Sequence, residues 1–261
     1  DVPAFYVGTR GIVYLHVRVR TGEKDLHSGV FGGAALNAVH VLVGLLARLQ
    51  GTPEPLRAGT AVPTPAELES WRHLPPGDVV LAEQGARPAD ACAGEEFYRR
   101  TLASAAVEVH GVAGGEADLQ KTVLPVEAHA NVSVRLAPGQ DVDAIAEAAE
   151  RLLHGSAPAG AELVVERWAS SPAGLVPPDS PAIQLAAAAF ERVVGRRPLI
   201  LRSGGTLPIV PALADRGIPV VLTGFDVPDG NIHSPDERLL ARYVPLGIAA
   251  ARELLIAFQE L

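Results

Sequence analysis

The order of sequence periodicities over residues 11–168 limits the possible folds most strongly. Residues 11–20 end in an alternation of apolar and polar side chains, which predicts a half-buried strand. Apolar residues then recur at helical spacing over residues 34–50, which predicts a helix. Further along, the same criteria predict strands at 105–110, 126–136 and 161–168 and a helix at 142–154.

This succession of strand, helix, strand, strand, helix and strand is the split βαβ pattern of ferredoxin-like domains. It predicts one antiparallel sheet with both helices on the same face. Residues 51–104 interrupt the pattern, and they are irregular and rich in Pro, Gly and Ala. We interpret them as a surface excursion with short helices at 63–73 and 95–103.

The pattern changes after residues 170–179, whose Pro, Ser and Gly content predicts a linker. Beyond it, short apolar segments alternate with helical ones, which is typical of a parallel α/β domain. Since the alternation is brief, we interpret this region as the last part of such a domain. The predicted helices are 181–194, 207–216 and 239–261, and the predicted strands are 199–201 and 218–223.

Composition narrows the classes of partner. The formal net charge is −8 and Lys and Arg are not clustered, which disfavours nucleic acid. Cys92 is the single cysteine, so no internal disulfide can form, and we expect a buried or inert thiol. Apolar stretches such as 38–49 are too short to span a bilayer. We predict a cytoplasmic protein without a nucleic-acid or membrane partner.

The beginning of the chain also informs its interpretation. The first residue is Asp1, and the chain contains no methionine. We therefore interpret the sequence as a fragment, a processed chain or an incomplete record of a longer protein.

Two positions in the first half carry candidate chemistry. His27 follows a predicted strand and precedes a Gly-rich turn, so its imidazole lies beside backbone amides suited to an anion or oxyanion. The alternative is an ordinary surface histidine. Arg135 lies near the end of an alternating strand. Its guanidinium could bind a substrate carboxylate, or simply face solvent.

The segment from Arg202 to Thr206 lies between a predicted strand and a predicted helix. Its two glycines, Gly204 and Gly205, allow backbone N–H groups to approach a ligand, and a helix amino end favours a carboxylate or phosphate. The alternative is a tight turn in which Thr206 caps the helix. The spacing is not that of a phosphate-binding P-loop, which disfavours nucleotide binding.

His233 follows an apolar segment and an acidic turn containing Asp226 and Asp229. Functional groups in α/β enzymes often lie at the carboxyl ends of parallel strands, and a neutral imidazole is a common zinc ligand. The alternative is a loop histidine, with Ser234 or Asp236 starting the last helix.

Four segments together resemble the family of dinuclear zinc peptidases that includes carnosine dipeptidase and the Cys-Gly dipeptidases. The first segment, Asp-Leu-His-Ser-Gly-Val-Phe-Gly-Gly, is specific, and it favours the dipeptidase branch over related deacylases. The resemblance covers nearly the whole chain and is weakest over residues 51–104. In chain order, the segments are 25–33, 121–125, 202–208 and 231–237.

The resemblance implies a role for each candidate residue. His27 would match the lid histidine that reaches into the partner subunit's active site and stabilises the oxyanion. Thr122 and Arg135 would bind substrate, with Arg135 on its terminal carboxylate. His233 would match the last zinc ligand. The substrate-carboxylate pocket of the catalytic domain would be lined by Gly204, Gly205 and Thr206.

The resemblance also implies a domain organisation. Residues 1–10 would end a linker from the catalytic domain, residues 11–170 would form the dimerisation (lid) domain, and residues 171–261 would complete the catalytic domain. The fold class is therefore α/β (α+β): a ferredoxin-like βαββαβ lid domain followed by the remnant of a parallel-sheet α/β catalytic domain.

The activity implied is metal-dependent hydrolysis of dipeptides or short peptides with a free terminal carboxylate, by a longer homodimeric parent. The parent would use two zinc ions per active site, with manganese or cobalt as possible substitutes. The family's other metal ligands would precede this chain, so we expect the chain alone to be inactive. The alternatives are a non-catalytic dimerisation module and an N-acyl amino acid deacylase of the same superfamily.

Overall fold

A computed structural model describes residues 2–227 and 230–261, and its contacts divide the chain into two compact units. Unit 1 comprises the residues up to Thr9 together with Val62–Tyr98 and Gly174–Leu261. Unit 2 comprises Arg10–Ala61 and Arg99–Ala173. Asp1, and Asp229 of the predicted acidic turn, lie outside the described residues.

The secondary structure follows in chain order. The strands are β1 (Ala4–Thr9), β2 (Gly11–Arg20), β3 (Leu26–His27), β4 (Ala106–Gly114), β5 (Val123–Leu124), β6 (Glu127–Leu136), β7 (Glu162–Ser171), β8 (Gly174–Leu175) and β9 (Leu199–Ser203). The helices are α1 (Ser28–Phe31), α2 (Ala38–Leu49), α3 (Pro65–Trp71), α4 (Gly77–Glu83), α5 (Phe97–Leu102), α6 (Val142–His154), α7 (Pro181–Val194), α8 (Ile209–Ala214) and α9 (Tyr243–Ala257). Short 3-10 helices form at Glu54–Leu56 and Phe258–Glu260.

Unit 2 has the ferredoxin-like arrangement. Its four strands are antiparallel neighbours in the order β4-β6-β2-β7. Helices α2 and α6 pack on the same face, because their buried residues share one apolar core with alternate residues of β2 and β6. The predicted antiparallel sheet with both helices on one side is confirmed, and so is the α/β fold class.

Alternation along the strands explains why only one face of this sheet is covered. On β2, Val13, Leu15, Val17 and Val19 are fully buried, whereas the residues between them are half-buried or exposed. Successive side chains of a strand point to opposite faces, so one apolar set is enough to bind the helix layer. The other face of the sheet is left for polar and aromatic side chains.

Capping side chains fix where the two covering helices begin. Asn37 accepts hydrogen bonds from the backbone N–H groups of Val39 and His40, and α2 starts directly after it. Asp141 accepts one from Ala144 and α6 follows. A side-chain oxygen at this position satisfies amide groups that the first helical turn cannot.

Unit 1 contains a mixed sheet in the order β8-β1-β9, in which β1 is parallel to β9 and antiparallel to β8. Helices α7 and α9 pack together beside it. Phe5 on β1 and Phe190 on α7 are buried, with ring centroids 5.0 Å apart in an edge-to-face arrangement. This aromatic contact joins the strand to the helix at the centre of the unit 1 core.

The sheet of unit 1 differs from the sequence expectations at residues 4–9 and at residues 218–223. Residues 4–9, which lie in the predicted linker, form the central strand β1 of the sheet. The predicted strand at 218–223 is wrong, since Leu222 makes only an isolated antiparallel bridge to Tyr6. Pro219 lies inside that segment and has no N–H to donate, which limits regular pairing.

Residues 62–98 belong to unit 1, although the chain on both sides of them belongs to unit 2. Two polar side chains of α3, Glu67 and Ser70, are buried and bond to β9 through Arg202 and Ile200. Sequence patterns indicated only a surface excursion here, because buried polar partners leave no hydrophobic periodicity. The assignment of named peptidase domains to the two units stays a prediction.

Two features bear on the expectations drawn from composition. Cys92 is exposed, so the thiol is not buried, and the alternative of an inert thiol stays a prediction. Its backbone N–H donates to the Asp90 side chain. Within residues 2–227 and 230–261, every helix is too short or too polar to cross a membrane.

Gln140 provides a test of how the loops of unit 2 are held. This buried side chain accepts from Ala137 N and donates to the carbonyl oxygens of Leu56 and Ala58, at 2.8 to 3.0 Å. Gln140→Ala should lower the free energy of unfolding by at least about 2 kcal/mol, since buried backbone groups lose their partners. Urea denaturation measures the loss. Gln120→Ala, at an exposed position, is the matched control, and equal stability of the two variants would contradict the expectation.

Candidate functional site

His27 ends β3 and caps the short helix α1. Its backbone is extended, and its Nδ1 accepts a hydrogen bond of 3.0 Å from the N–H of Gly29. A neutral imidazole carries one proton, so a ring whose Nδ1 accepts has its N–H at Nε2. The exposed His27 ring therefore presents a donor at Nε2, the group needed to stabilise a negative oxygen.

The structure brings His27 and Thr122 together. Strands β3 and β5 pair antiparallel, with His27 opposite Val123, and Ser28 N donates to the Thr122 carbonyl at 2.8 Å. Asp25 strengthens this strand pairing, because its carboxylate accepts the N–H of Val126 at 3.1 Å. Two segments almost a hundred residues apart in sequence thus form one exposed element carrying both candidate side chains.

The helix that follows His27 presents apolar side chains to its surroundings. Val30 is 71% exposed and Phe31 is 44% exposed. Large apolar side chains adjacent to a polar candidate residue are typical of a surface that contacts another molecule.

Arg135 lies near the carboxyl end of β6, between Ile12 of β2 and Ala106 of β4. It is half-buried, and its charge acts on the nearby Arg10. Burial and then the charge of Arg135 lower the pKa of Arg10 to about 10, while Glu108 opposes the shift. Arg10 is still charged at neutral pH, but its guanidinium donates to the carbonyl oxygens of Thr101 and Ser104 at 3.1 and 3.0 Å, which leaves Arg135 as the candidate for an anionic partner at this end of the sheet.

A ladder of rings continues from Arg135 over the open face of the sheet. Ser133, two positions from Arg135, bonds to the His110 ring at 2.8 Å, and that ring stacks on Tyr14 with centroids 5.5 Å apart. His16 and Trp168 extend the stack at 4.4 Å. These histidines show no metal-ligand spacing in the sequence. The alternation along β2 and β6 was the sequence signal that could have placed these rings together, because its polar positions all lie on one face of the sheet.

Gly204, Gly205 and Thr206 directly follow β9. Gly205 N donates to the Ser203 hydroxyl at 3.1 Å, and both glycines are exposed. The next helix, α8, begins after Pro208 without a side-chain cap, so the alternative of Thr206 as the capping residue is wrong. The backbone of this loop is therefore exposed and accessible, as a site that binds a carboxylate requires.

His233 lies in an exposed loop with an unusual backbone. Asn231, His233 and Asp236 are non-glycine residues with φ of 59°, 59° and 61°. The loop is closed by a hydrogen bond from Arg238 N to Gly230 O at 2.9 Å. The last helix begins only after Arg242, so neither Ser234 nor Asp236 starts it. Left-handed backbone at non-glycine residues is costly and concentrates at functional sites.

The described residues do not bring together the donors of a dinuclear metal site. Among residues 2–227 and 230–261, no three His, Cys, Asp or Glu side chains are grouped to hold a metal ion. Catalytic zinc usually takes about three protein ligands. His233 is thus one candidate ligand without companions in the part of the chain that is described.

The family relationship follows from comparison with known proteins. Residues 7–161, more than half of the 261 residues, match the family described as "Peptidase dimerisation domain" (M20_dimer). The chain therefore belongs to the M20 peptidase dimerisation-domain family.

Its curated relatives include dipeptidases. The human Beta-Ala-His dipeptidase is 26% identical over 259 residues, covering 91% of this chain and 49% of the relative. The cysteinylglycine-S-conjugate dipeptidase of Corynebacterium striatum is 25% identical over 281 residues, covering 98% and 57%. The chain thus spans about half the length of these relatives.

Solved structures show the same fold. An M20 family metallo-carboxypeptidase from Sulfolobus solfataricus superposes with a TM-score of 0.83 at 21% identity, covering all of this chain and 61% of that one. Human carnosine dipeptidase 1 gives a TM-score of 0.72 at 24% identity, with 100% and 57% covered. The predicted resemblance to the dipeptidase family is confirmed. The roles of individual residues stay predictions.

Gly29 offers a test of the His27 geometry. A Cβ at Gly29 would lie 2.9 Å from His27 Cε1 and 3.1 Å from Nδ1. Gly29→Ala should therefore displace the ring and release Nδ1. Two-bond ¹H–¹⁵N spectra of the His27 side chain should change from the Nε2–H tautomer to a mixture. Gly44→Ala, where the added methyl meets open space, should leave these signals unchanged. An unaltered tautomer in Gly29→Ala would contradict the assigned hydrogen bond.

Proposed function

We propose that this chain is part of a dimeric metallopeptidase that hydrolyses dipeptides or short peptides with a free terminal carboxylate. The observation that carries the proposal is the two-stranded β3–β5 sheet, which joins the His27 and Thr122 segments within the M20 family match. The dipeptidase relatives and the fold support it. We propose further that the chain is inactive without the rest of the longer protein.

The two units would have different parts in the enzyme. We propose that residues 11–170 act mainly as the dimerisation (lid) domain and that 171–261 belong to the catalytic domain. The contacts of β1 and of 62–98 with unit 1 favour adding those residues to the catalytic part.

His27, Thr122 and Arg135 would act on the substrate from unit 2. The Nε2–H of His27 is suited to donate a hydrogen bond to the oxyanion that develops at the scissile carbonyl. Arg135 would pair with the terminal carboxylate of the peptide, since a guanidinium binds a carboxylate with two parallel hydrogen bonds. Thr122 would place a hydroxyl beside the substrate.

Unit 1 would supply a substrate-carboxylate pocket and a metal ligand. The exposed backbone of Gly204 and Gly205, with Thr206, would line the substrate-carboxylate pocket. His233 would be one ligand of a two-zinc site, in which manganese or cobalt could replace zinc. Its companions would come from residues outside the described ones, so we derive no chemical step through the metal.

The homodimer would form through unit 2, and β4 is the edge strand best suited to it. The strand is exposed from Glu108 to Gly114. Val109 and Val112 are 45% and 52% exposed on the side of the sheet that carries the helices. An unpaired edge with exposed apolar side chains favours pairing with a second copy about a two-fold axis.

The oxyanion role of His27 can be tested in a zinc-loaded longer protein containing this chain. His27→Ala should lower kcat for β-Ala-His or Cys-Gly by about 10²- to 10³-fold, since one oxyanion donor is lost. Steady-state kinetics provide the measurement. His73→Ala, at another exposed histidine, should match the wild type. Preferred cleavage of N-acyl amino acids would favour the deacylase alternative. If the longer protein cleaves neither dipeptides nor N-acyl amino acids, the non-catalytic dimerisation module is favoured.

The dimer can be tested with matched variants at the two edges of the sheet. Val112→Arg on β4 should weaken the dimer by at least about a hundredfold, because two desolvated guanidinium groups would meet across the axis. Sedimentation velocity over a range of concentrations measures the dissociation constant. Val164→Arg on β7, where Val164 is 40% exposed, should sediment like the wild type. The reverse pattern would assign the interface to β7.

A further inference from the structure

A buried ion pair lies directly before the glycine loop of unit 1. The side chains of Arg202 and Glu67 are only 1% and 2% exposed. Arg202 Nε donates to Glu67 Oε1 at 2.5 Å, and Nη2 donates to Oε2 at 3.4 Å. Two donors of one guanidinium thus bind two oxygens of one carboxylate, which fixes both the distance and the orientation of the groups.

Glu67 is itself held by the start of α3. Its Oε2 accepts the backbone N–H of Thr64 at 2.7 Å, and its own N–H donates to the Thr64 hydroxyl at 3.3 Å, which together form a capping box. The guanidinium of Arg202 also donates to the Val62 carbonyl at 3.3 Å. The amino end of α3 therefore fixes the orientation of the Glu67 carboxylate that binds Arg202.

Ser70 makes a second connection from the same helix. Its hydroxyl accepts the N–H of Ile200 at 3.0 Å and donates to the Ala66 carbonyl at 2.9 Å. Strand β9 lies at an edge of its sheet, so α3 provides a partner there for one edge amide. The last residues of β9 are thus bound on one side by β1 and on the other by α3.

A buried ion pair is a costly way to stabilise a fold. Desolvation of both charges offsets most of their attraction, and an apolar pair of similar volume is often as stable. The pair at Glu67 and Arg202 does, however, impose one geometry on the strand end. Ser203 follows Arg202 directly, and its hydroxyl accepts the N–H of Gly205 at 3.1 Å.

We propose that Glu67 is a positioning residue, which acts through Arg202 to hold the backbone of residues 203–206 in the arrangement that binds the substrate carboxylate. The carboxylate-binding part rests on the proposed function, whereas the positioning of the loop does not. Residues 62–98 would then contribute to the site without touching the substrate.

The first test uses the full chain and needs no activity. Glu67→Gln retains the shape but removes the charge, and backbone amides of residues 203–206 should exchange with deuterium at least about tenfold faster. Glu69→Gln is the matched control, since Glu69 lies on the same helix, is exposed and pairs with Arg72. Unchanged exchange at 203–206 in a folded Glu67→Gln protein would overturn the positioning role.

A double variant separates positioning from stability. Glu67→Met with Arg202→Met should restore the wild-type unfolding midpoint, since two apolar side chains replace two buried charges. Exchange at 203–206 should remain fast, because the directional bonds are gone. A double variant with wild-type midpoint and wild-type exchange would show that the pair only fills space, and would overturn the proposal. If the double variant does not fold, Glu67→Asp takes its place. This variant keeps the charge, so exchange at 203–206 should lie between the rates of the wild type and of Glu67→Gln. Exchange as fast as in Glu67→Gln would overturn the positioning role.

The second test uses the longer zinc-loaded protein. Glu67→Gln should raise KM for a dipeptide about tenfold with little change in kcat, since a misplaced loop weakens binding of the carboxylate. For a dipeptide with an amidated carboxyl terminus, Glu67→Gln should change KM much less. A fall in kcat alone would overturn the link to carboxylate binding. Faster exchange in the chain together with an inactive longer protein would retain the positioning role and reject the proposed function.

Discussion

The ladder between β2 and β6 is the interaction on which the rest of unit 2 depends. The two strands pair over ten residues, from Gly11 opposite Leu136 to Arg20 opposite Glu127, without a shift in register. A slip of one residue would turn every valine of β2 to the wrong face. The same register sets the helix-covered face, places Arg135 at the end of the sheet and aligns the rings on the open face.

Much of this unit could be predicted because its signals are local. Alternation along β2 and helical spacing along α6 each reflect burial against one layer, and the predicted bounds of both agree with the structure. The candidate site was harder to predict from the sequence. His27 was recognisable from its segment, but its contact with the Thr122 segment joins residues far apart in sequence. The Glu67–Arg202 pair was missed because two buried charges resemble two surface charges until their partner is known.

The candidate residues are divided between the two units, and each unit carries a different kind of chemical group. Unit 2 carries side chains that donate, namely His27 in the two-stranded β3–β5 sheet and Arg135 near the end of β6, and backbone pairing fixes both elements. Unit 1 carries exposed backbone at Gly204 and Gly205 and an imidazole at His233. Side chains on regular elements are held by those elements, whereas a loop needs separate support, which α3 provides to residues 203–206.

The division of the chain has a consequence for how the protein can be made. The backbone leaves one unit for the other after Thr9, Ala61, Tyr98 and Ala173. Strand β1 is synthesised before unit 2, yet Ala4 pairs with Leu199, so the sheet of unit 1 cannot form until residue 199 has left the ribosome. Unit 2 is complete by Ala173 and is free to fold earlier. Such distant pairing is slow, and until it forms the apolar residues of β1 and of 62–98 lack their native partners, which is the situation in which a folding chain is most prone to aggregate.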